Sequence, residues 1–243
     1  MLFIRSLLFN IFFFGWALLS AVLFMPFFII SMRAAQSIGK PWAQVSLFLA
    51  RVICGITYEI RGSENIAKDP VIYASKHQSA WDTIIFHITS RCPAYVLKRE
   101  LLFLPLWGWY LWRMKMIAID RSAKASSMKH MLKQAKDIIK EPRSIVIFPE
   151  GTRTAIGAPS QYHPGIIALY SQLKIPVVPV ALNSGVYWAK DAFIKRPGKI
   201  IIEFLPPIPP GLPKEEFMTR LRETVEAASQ KLLDESKSGD FNQ

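Results

Sequence analysis

From Ser6 to Ile30 the chain carries no charged side chain. The run "LLFNIFFFGWALLSAVLFMPFFII" is almost wholly apolar. At a helical rise of about 1.5 Å per residue it is long enough to cross a ~30 Å hydrocarbon core. It is too long for the apolar core of a cleaved signal peptide, which runs ~7–15 residues. Pro26 can bend the segment, so a re-entrant helix or one lying in the membrane plane stands beside a straight span. A very apolar core helix is the other reading, unusual at this length; as a membrane segment, the run sets whatever follows beside a lipid surface.

Charge sharpens this. The formal net charge is +12 in a chain that is 51% apolar. A basic balance calls for an anionic partner: nucleic acid, an acidic membrane surface or a phosphorylated ligand. No RNA-binding or zinc-finger pattern is present, and the apolar segment points away from nucleic acid. Lipid headgroups and phosphorylated ligands account for both features. Cys54 and Cys92 lie far apart in apolar surroundings. They form no metal-spaced cluster and read as buried reduced thiols.

After Pro41 the apolar positions Val45, Leu47, Phe48, Leu49, Val52 and Ile53 describe a second helix with one wide apolar face. It can pack on the first segment or lie on the membrane. Residues 1–55 thus form a membrane-anchoring helical region. From Ile56 the pattern alternates. The β-branched runs "ITYEI", "VIYAS", "AYVLK", "MIAID", "SIVIFP", "VVPVAL" and "KIIIEFL" are separated in several places by helical stretches at 80–90, 101–112, 124–140 and 164–173. This predicts an α/β domain over 56–235, with a mostly parallel or mixed sheet flanked by helices. "LPPIPPGLP" ends the sheet, and a helix with Phe217, Leu221, Val225, Ala228 and Leu232 on one side closes the domain. The polar residues 236–243 read as a flexible tail.

Four clusters stand at strand exits. "HQSAWD" separates His77 from Asp82 by five residues, which does not put them on one helical face. They meet only if His77 lies in the turn and Asp82 early in the next helix, where the carboxylate could take one imidazole nitrogen and leave the other as a base. Local sequence by itself favours an ordinary early-helix acid beside a surface histidine. "IDRS" follows "MIA" and allows an Asp–Arg surface pair. "FPEGTR" makes an abrupt polar turn presenting Glu150 and Arg153, with an arginine suited to phosphate and a glycine permitting close backbone approach. "IPVVPVALNSG" is a strand interrupted by prolines, which suits a sheet edge.

Together these clusters resemble the glycerolipid acyltransferases of the lysophosphatidic acid acyltransferase type. "HQSAWD", "IAIDR", "FPEGTR" and "IPVVPVAL" stand in that family's order, over about residues 56–210. The second motif departs from the family pattern, with Lys115 and Ala118 where glycine and phenylalanine are frequent.

The resemblance implies that His77 is the general base for a glycerol hydroxyl and that Asp82 orients it. The hydroxyl would attack an acyl thioester directly. Arg121, Arg153 and Lys98 would hold the acceptor's phosphate, Glu150 would contact its glycerol part, and Gly151 and Thr152 complete that turn. No metal or bound cofactor is implied; the co-substrate is acyl-CoA or an acyl carrier protein thioester. The partners implied are lysophosphatidic acid and the bilayer, at the inner or cytoplasmic membrane with the catalytic domain facing the cytoplasm. The product would be phosphatidic acid. An acceptor with another headgroup, such as a lyso-ornithine lipid, is the alternative within this chemistry. A serine-nucleophile lipid esterase lacks its G-x-S-x-G here. A non-catalytic membrane scaffold is opposed by the intact His77, Asp82, Glu150 and Arg153. His87 and His130 read as helix residues and His163 as a loop residue.

Overall fold

The uncharged amino-terminal run does not form one rod. In the computed structural model, which describes residues 1–120 and 124–240, α1 spans Leu2–Leu23 and α2 spans Met25–Ile30, with Pro26 in its first turn. Proline is tolerated there because the first helical N–H groups have no intrahelical acceptor. Extended Ser31 then caps α3 (Met32–Ser37), its Oγ accepting from Ala34 N–H at 3.0 Å. The next helix, α4 (Gly39–Leu49), runs on into a π-helical turn, Ala50–Cys54, which stops at Gly55 with φ +72°.

One face of α1 is docked along its length. Phe9 is fully buried, edge-on to Trp188 at 5.0 Å between ring centres. Arg5 Nε donates to Ile53 O at 2.6 Å, Ser6 Oγ accepts from Lys195 N–H at 2.9 Å, and Trp16 Nε1 donates to Trp42 O at 3.2 Å. The opposite stripe, with Ile11, Phe14, Leu18 and Val22, is more than half exposed. Among the described residues, α1 is the one helix long and apolar enough to cross a membrane.

All seven β-branched runs become strands: β1 (Ile56–Arg61), β2 (Ile72–Ser75), β3 (Ala94–Lys98), β4 (Ile117–Ile119), β5 (Ile145–Ile147), β6 (Val177–Leu182) and β7 (Gly198–Phe204). They form one sheet in the order β1-β7-β6-β2-β5-β3-β4. Every ladder is parallel except β6 against β7, so the sheet is mixed. Despite its proline, β6 is interior rather than an edge. Pro179 lies where the β6–β7 ladder ends: Leu205 N–H donates to its carbonyl at 3.0 Å, and the missing return donor is the one bond lost.

Helices cover both faces. With α1 and α4 on one side lies α5 (Trp81–Thr89); Tyr73, Trp81 and Phe86 meet there, all fully buried. On the other side lie α7 (Lys124–Ile138), α8 (Gly165–Leu173) and α10 (Lys214–Asp240), where Ile72 and Ala74 meet Met131, Leu169 and Phe217. The side chains of β2 alternate between the layers, as the two-residue period of a strand requires.

Two further expectations change. The helix expected over 101–112 is split: a 3-10 turn, Arg99–Phe103, precedes α6 (Trp107–Arg113). Pro105 forces the preceding Leu104 out of helical geometry, to ψ 126°. The tail expected from 236 is helical through Asp240, because buried Ser236 accepts from Asn183 Nδ2 at 2.7 Å and donates to Leu232 O at 2.8 Å.

Candidate active site

Strands β6, β2, β5, β3 and β4 run parallel, so their carboxyl ends share one edge. The described parts of all four motifs leave from that edge. From β2 the chain proceeds to β3, beyond β5, whereas from β5 it proceeds to β6, beyond β2. Connections from these two neighbours therefore depart in opposite directions, and the crevice between such ends is where open α/β sheets bind ligands.

His77 lies in the turn after β2 and Asp82 in the first turn of α5. His77 Nδ1 is 3.0 Å from Asp82 Oδ2, which also accepts the backbone N–H groups of Gln78 at 2.7 Å and Ser79 at 2.8 Å. Ser184 begins the short helix α9 (Ser184–Tyr187), and its hydroxyl donates to Asp82 Oδ1 at 2.5 Å. The fully buried carboxylate is thus held by four donors. It holds the Nδ1–H tautomer and leaves the Nε2 lone pair for chemistry. Phe148, the first residue of "FPEGTR", stacks on the imidazole at 3.8 Å between ring centres. His77 faces a cavity of about 810 Å³.

Gly151 adopts φ +67°, which a side chain would strain, and its N–H closes the turn on Phe148 O at 2.8 Å. Gly151, Thr152 and Arg153 line the cavity, as does Lys98 at the end of β3. The structure therefore brings His77, Lys98, Gly151, Thr152 and Arg153 around one space, with Asp82 behind the histidine. Arg121 lies outside the described residues; its neighbour Asp120 lines the cavity.

Glu150 is placed differently from the glycerol contact that the resemblance implies. Its carboxylate is buried away from the cavity. Oε2 accepts the backbone N–H of His77 at 3.0 Å. Oε1 lies 2.6 Å from Lys76 Nζ, 2.7 Å from Ser160 Oγ and 2.8 Å from Thr154 Oγ1. Thr154 N–H also donates to His77 O at 2.8 Å. Nor does Arg153 pair with Glu150: its Nη2 lies 3.3 Å from Asp191 Oδ1, at the surface. Both acceptor oxygens of Glu150 are spent on joining the two motif turns.

Three contributors went unnoticed in the sequence: Lys76, Glu226 and Ser184. Lys76 Nζ, buried, lies 2.9 Å from both carboxylate oxygens of Glu226 on α10. Tyr162 OH donates to Glu226 Oε1 at 3.1 Å; burial first, then the charges of Glu226 and Glu150, keep that phenol protonated far beyond its usual range. Ser184 belongs to the fourth cluster, whose prolines drew attention away from its hydroxyl. His163 and His87 both line the cavity. Burial holds the pKa of His87 at about 4, so this imidazole is neutral. Beyond His77 the cavity is apolar, passing Ala17, Ala21 and Trp42 of the amino-terminal helices and Leu111 of α6.

A buried carboxylate orienting a histidine, a ring nitrogen over the cavity and basic side chains beside it suit general-base chemistry on an anionic substrate. Comparison with known proteins gives the family. Residues 57–183 match the family model described as Acyltransferase, and the chain belongs to that family. It is 42% identical over 159 residues to a 1-acyl-sn-glycerol-3-phosphate acyltransferase of Pseudomonas aeruginosa, covering 65% of this chain and 62% of that one. To the protein of that name from Limnanthes alba it is 31% identical over 196 residues, covering 80% and 68%. The fold matches the crystal structure of the 1-acyl-sn-glycerophosphate (LPA) acyltransferase PlsC of Thermotoga maritima, with a TM-score of 0.77, 22% identity and coverage of 96% and 98%.

Proposed function

We propose that this protein transfers an acyl group from an acyl thioester to the sn-2 hydroxyl of 1-acylglycerol 3-phosphate, giving phosphatidic acid. The observation that carries the mechanism is the 3.0 Å contact of His77 Nδ1 with Asp82, which leaves Nε2 for the cavity. His77 Nε2 takes the hydroxyl proton as the oxygen attacks the thioester carbonyl. Asp82 stabilises the imidazolium. The tetrahedral intermediate collapses with loss of thiolate, which takes the proton back from Nε2. Each proton and bond is accounted for by the two substrates and one histidine.

The apolar cavity suits an acyl chain, and Lys98 and Arg153 beside it suit a phosphate. Arg121, from the motif pattern, is assigned to the same phosphate. The donor is acyl-CoA or an acyl carrier protein thioester, soluble species that put the catalytic domain on the cytoplasmic face. The docked face of α1 supports an anchor lying in the membrane interface: a helix crossing the bilayer could not keep contacts from Arg5 to Ala21 with a water-exposed domain.

The test is steady-state kinetics with purified protein, lysophosphatidate or unphosphorylated monoacylglycerol, and each donor type. His77→Ala should lower turnover by ~10²–10⁴-fold. Arg153→Lys should lose roughly ten- to a hundredfold in efficiency with lysophosphatidate only, because an ammonium cannot reproduce the planar fork. An unchanged preference for the phosphorylated acceptor rejects the phosphate assignment. Near-normal turnover by folded His77→Ala protein rejects the mechanism.

A further inference from the structure

The segment from Lys98 to Lys115 presents a second apolar surface. It carries Lys98, Arg99, Arg113 and Lys115 against one acid, Glu100, and no charge between Leu101 and Trp112. Phe103 is 73% exposed, Trp109 56% and Trp112 67%. Such side chains normally turn inward in a water-soluble surface loop. Here the backbone is built to keep them out. Leu106 takes φ +64°, and Trp107 N–H donates to Pro105 O at 2.8 Å, a γ-turn of the strained hand. Gly108 lets α6 approach the preceding turn so closely that an added Cβ would lie 2.0 Å from Leu102 O. Tyr110 OH donates to Ala21 O at 2.6 Å, tying α6 to the end of α1.

We infer that this segment is a second membrane contact, seated in an anionic leaflet beside α1. The inference rests on the membrane reading above and extends it to the catalytic domain. Three observations select lipid as the occupant. The Tyr110–Ala21 bond fixes α6 against the docked face of α1, one residue from Val22 of the bare stripe. Exposed tryptophans bracketed by cations match the polarity profile of a headgroup region. Leu101, Trp107 and Leu111 also line the cavity that His77 faces, so its wall is continuous with the apolar surface. A lysolipid could then pass from leaflet to base without its chain crossing water.

The test uses full-length protein with Cys54→Ala and Cys92→Ser, bearing one cysteine coupled to an environment-sensitive fluorophore. Leu18→Cys reports α1; Trp109→Cys and Trp112→Cys report α6 and with it the loop-and-helix segment. Vesicles of phosphatidylethanolamine, with and without phosphatidylglycerol, are the probe. The inference expects blue shifts and quenching by bilayer nitroxides at all three sites, stronger with the anionic lipid. It also expects Trp109→Ser/Trp112→Ser to weaken vesicle partition roughly tenfold or more. A shift at Leu18→Cys with none at the loop overturns this inference and leaves the α1 anchor standing. No shift at any site overturns both. A loop shift that follows protein concentration without vesicles assigns the surface to a second copy of the chain and also overturns it.

Discussion

Lys76 is the residue on which the two motif turns depend. Its buried ammonium joins Glu150, which binds the backbone of His77, to Glu226 on α10. Removing one member of a buried ion pair leaves an uncompensated charge and costs about 3–5 kcal/mol. Lys76→Met should therefore be strongly destabilised in chemical denaturation, because Glu150 is then stranded. Lys76→Met/Glu150→Gln should recover part of that loss, since no buried charge remains and Glu226, about one-third exposed, can reach water. A double variant no more stable than Lys76→Met alone would mean that the two charges do not answer each other. The family resemblance implies Glu150 as a substrate ligand, and its neighbours Gly151 and Arg153 do face the cavity. Which way it turns is decided by Lys76 and Ser160, and nothing local announces that. Glu226 lies 150 positions from Lys76, in a helix whose pattern records only its apolar face.

At the scale of elements, α1 carries two loads: it binds the catalytic domain through Phe9 and Ser6 and leaves its other stripe bare. A protein beginning at Ile56 should lose most membrane association in flotation assays. It should also lose thermal stability, because Trp188 and Lys195 lose the partners that cover them. Retention of full stability would mean that α1 is only a tether. The strands were legible because β-branched runs between polar turns admit few other readings. The interior position of β6 was not, since whether a proline costs a ladder bond depends on where the neighbouring ladder stops. The His77–Asp82 contact was half legible: spacing allowed it, and the family resemblance selected it. Only the fold supplied Ser184, whose hydroxyl arrives from the helix that follows β6, over 100 residues further along.

Across the whole molecule, acid should weaken the fold through His87. Its folded pKa is about 4 against an ordinary 6.5, so between those values the unfolded chain binds more protons. Stability is whole above the upper value and falls as pH drops through the window, by roughly 3 kcal/mol when complete. Melting curves from about pH 7 to about pH 4.5 should fall more steeply for the natural protein than for His87→Leu; parallel curves would remove His87 from the account. A different consequence follows from the sheet order. Among the described residues the sole ladder of β1 is with β7, where Ile56 meets Gly198. During synthesis the first strand therefore emerges with both edges bare and waits for nearly the whole chain. The counter-charge Glu226 emerges later still. A polypeptide that stops short of α10 has its Lys76–Glu150 pair but lacks the second carboxylate that ties Lys76 to α10. The contacts that join the two motif turns to α10 therefore close only after residues 214–240 have been made.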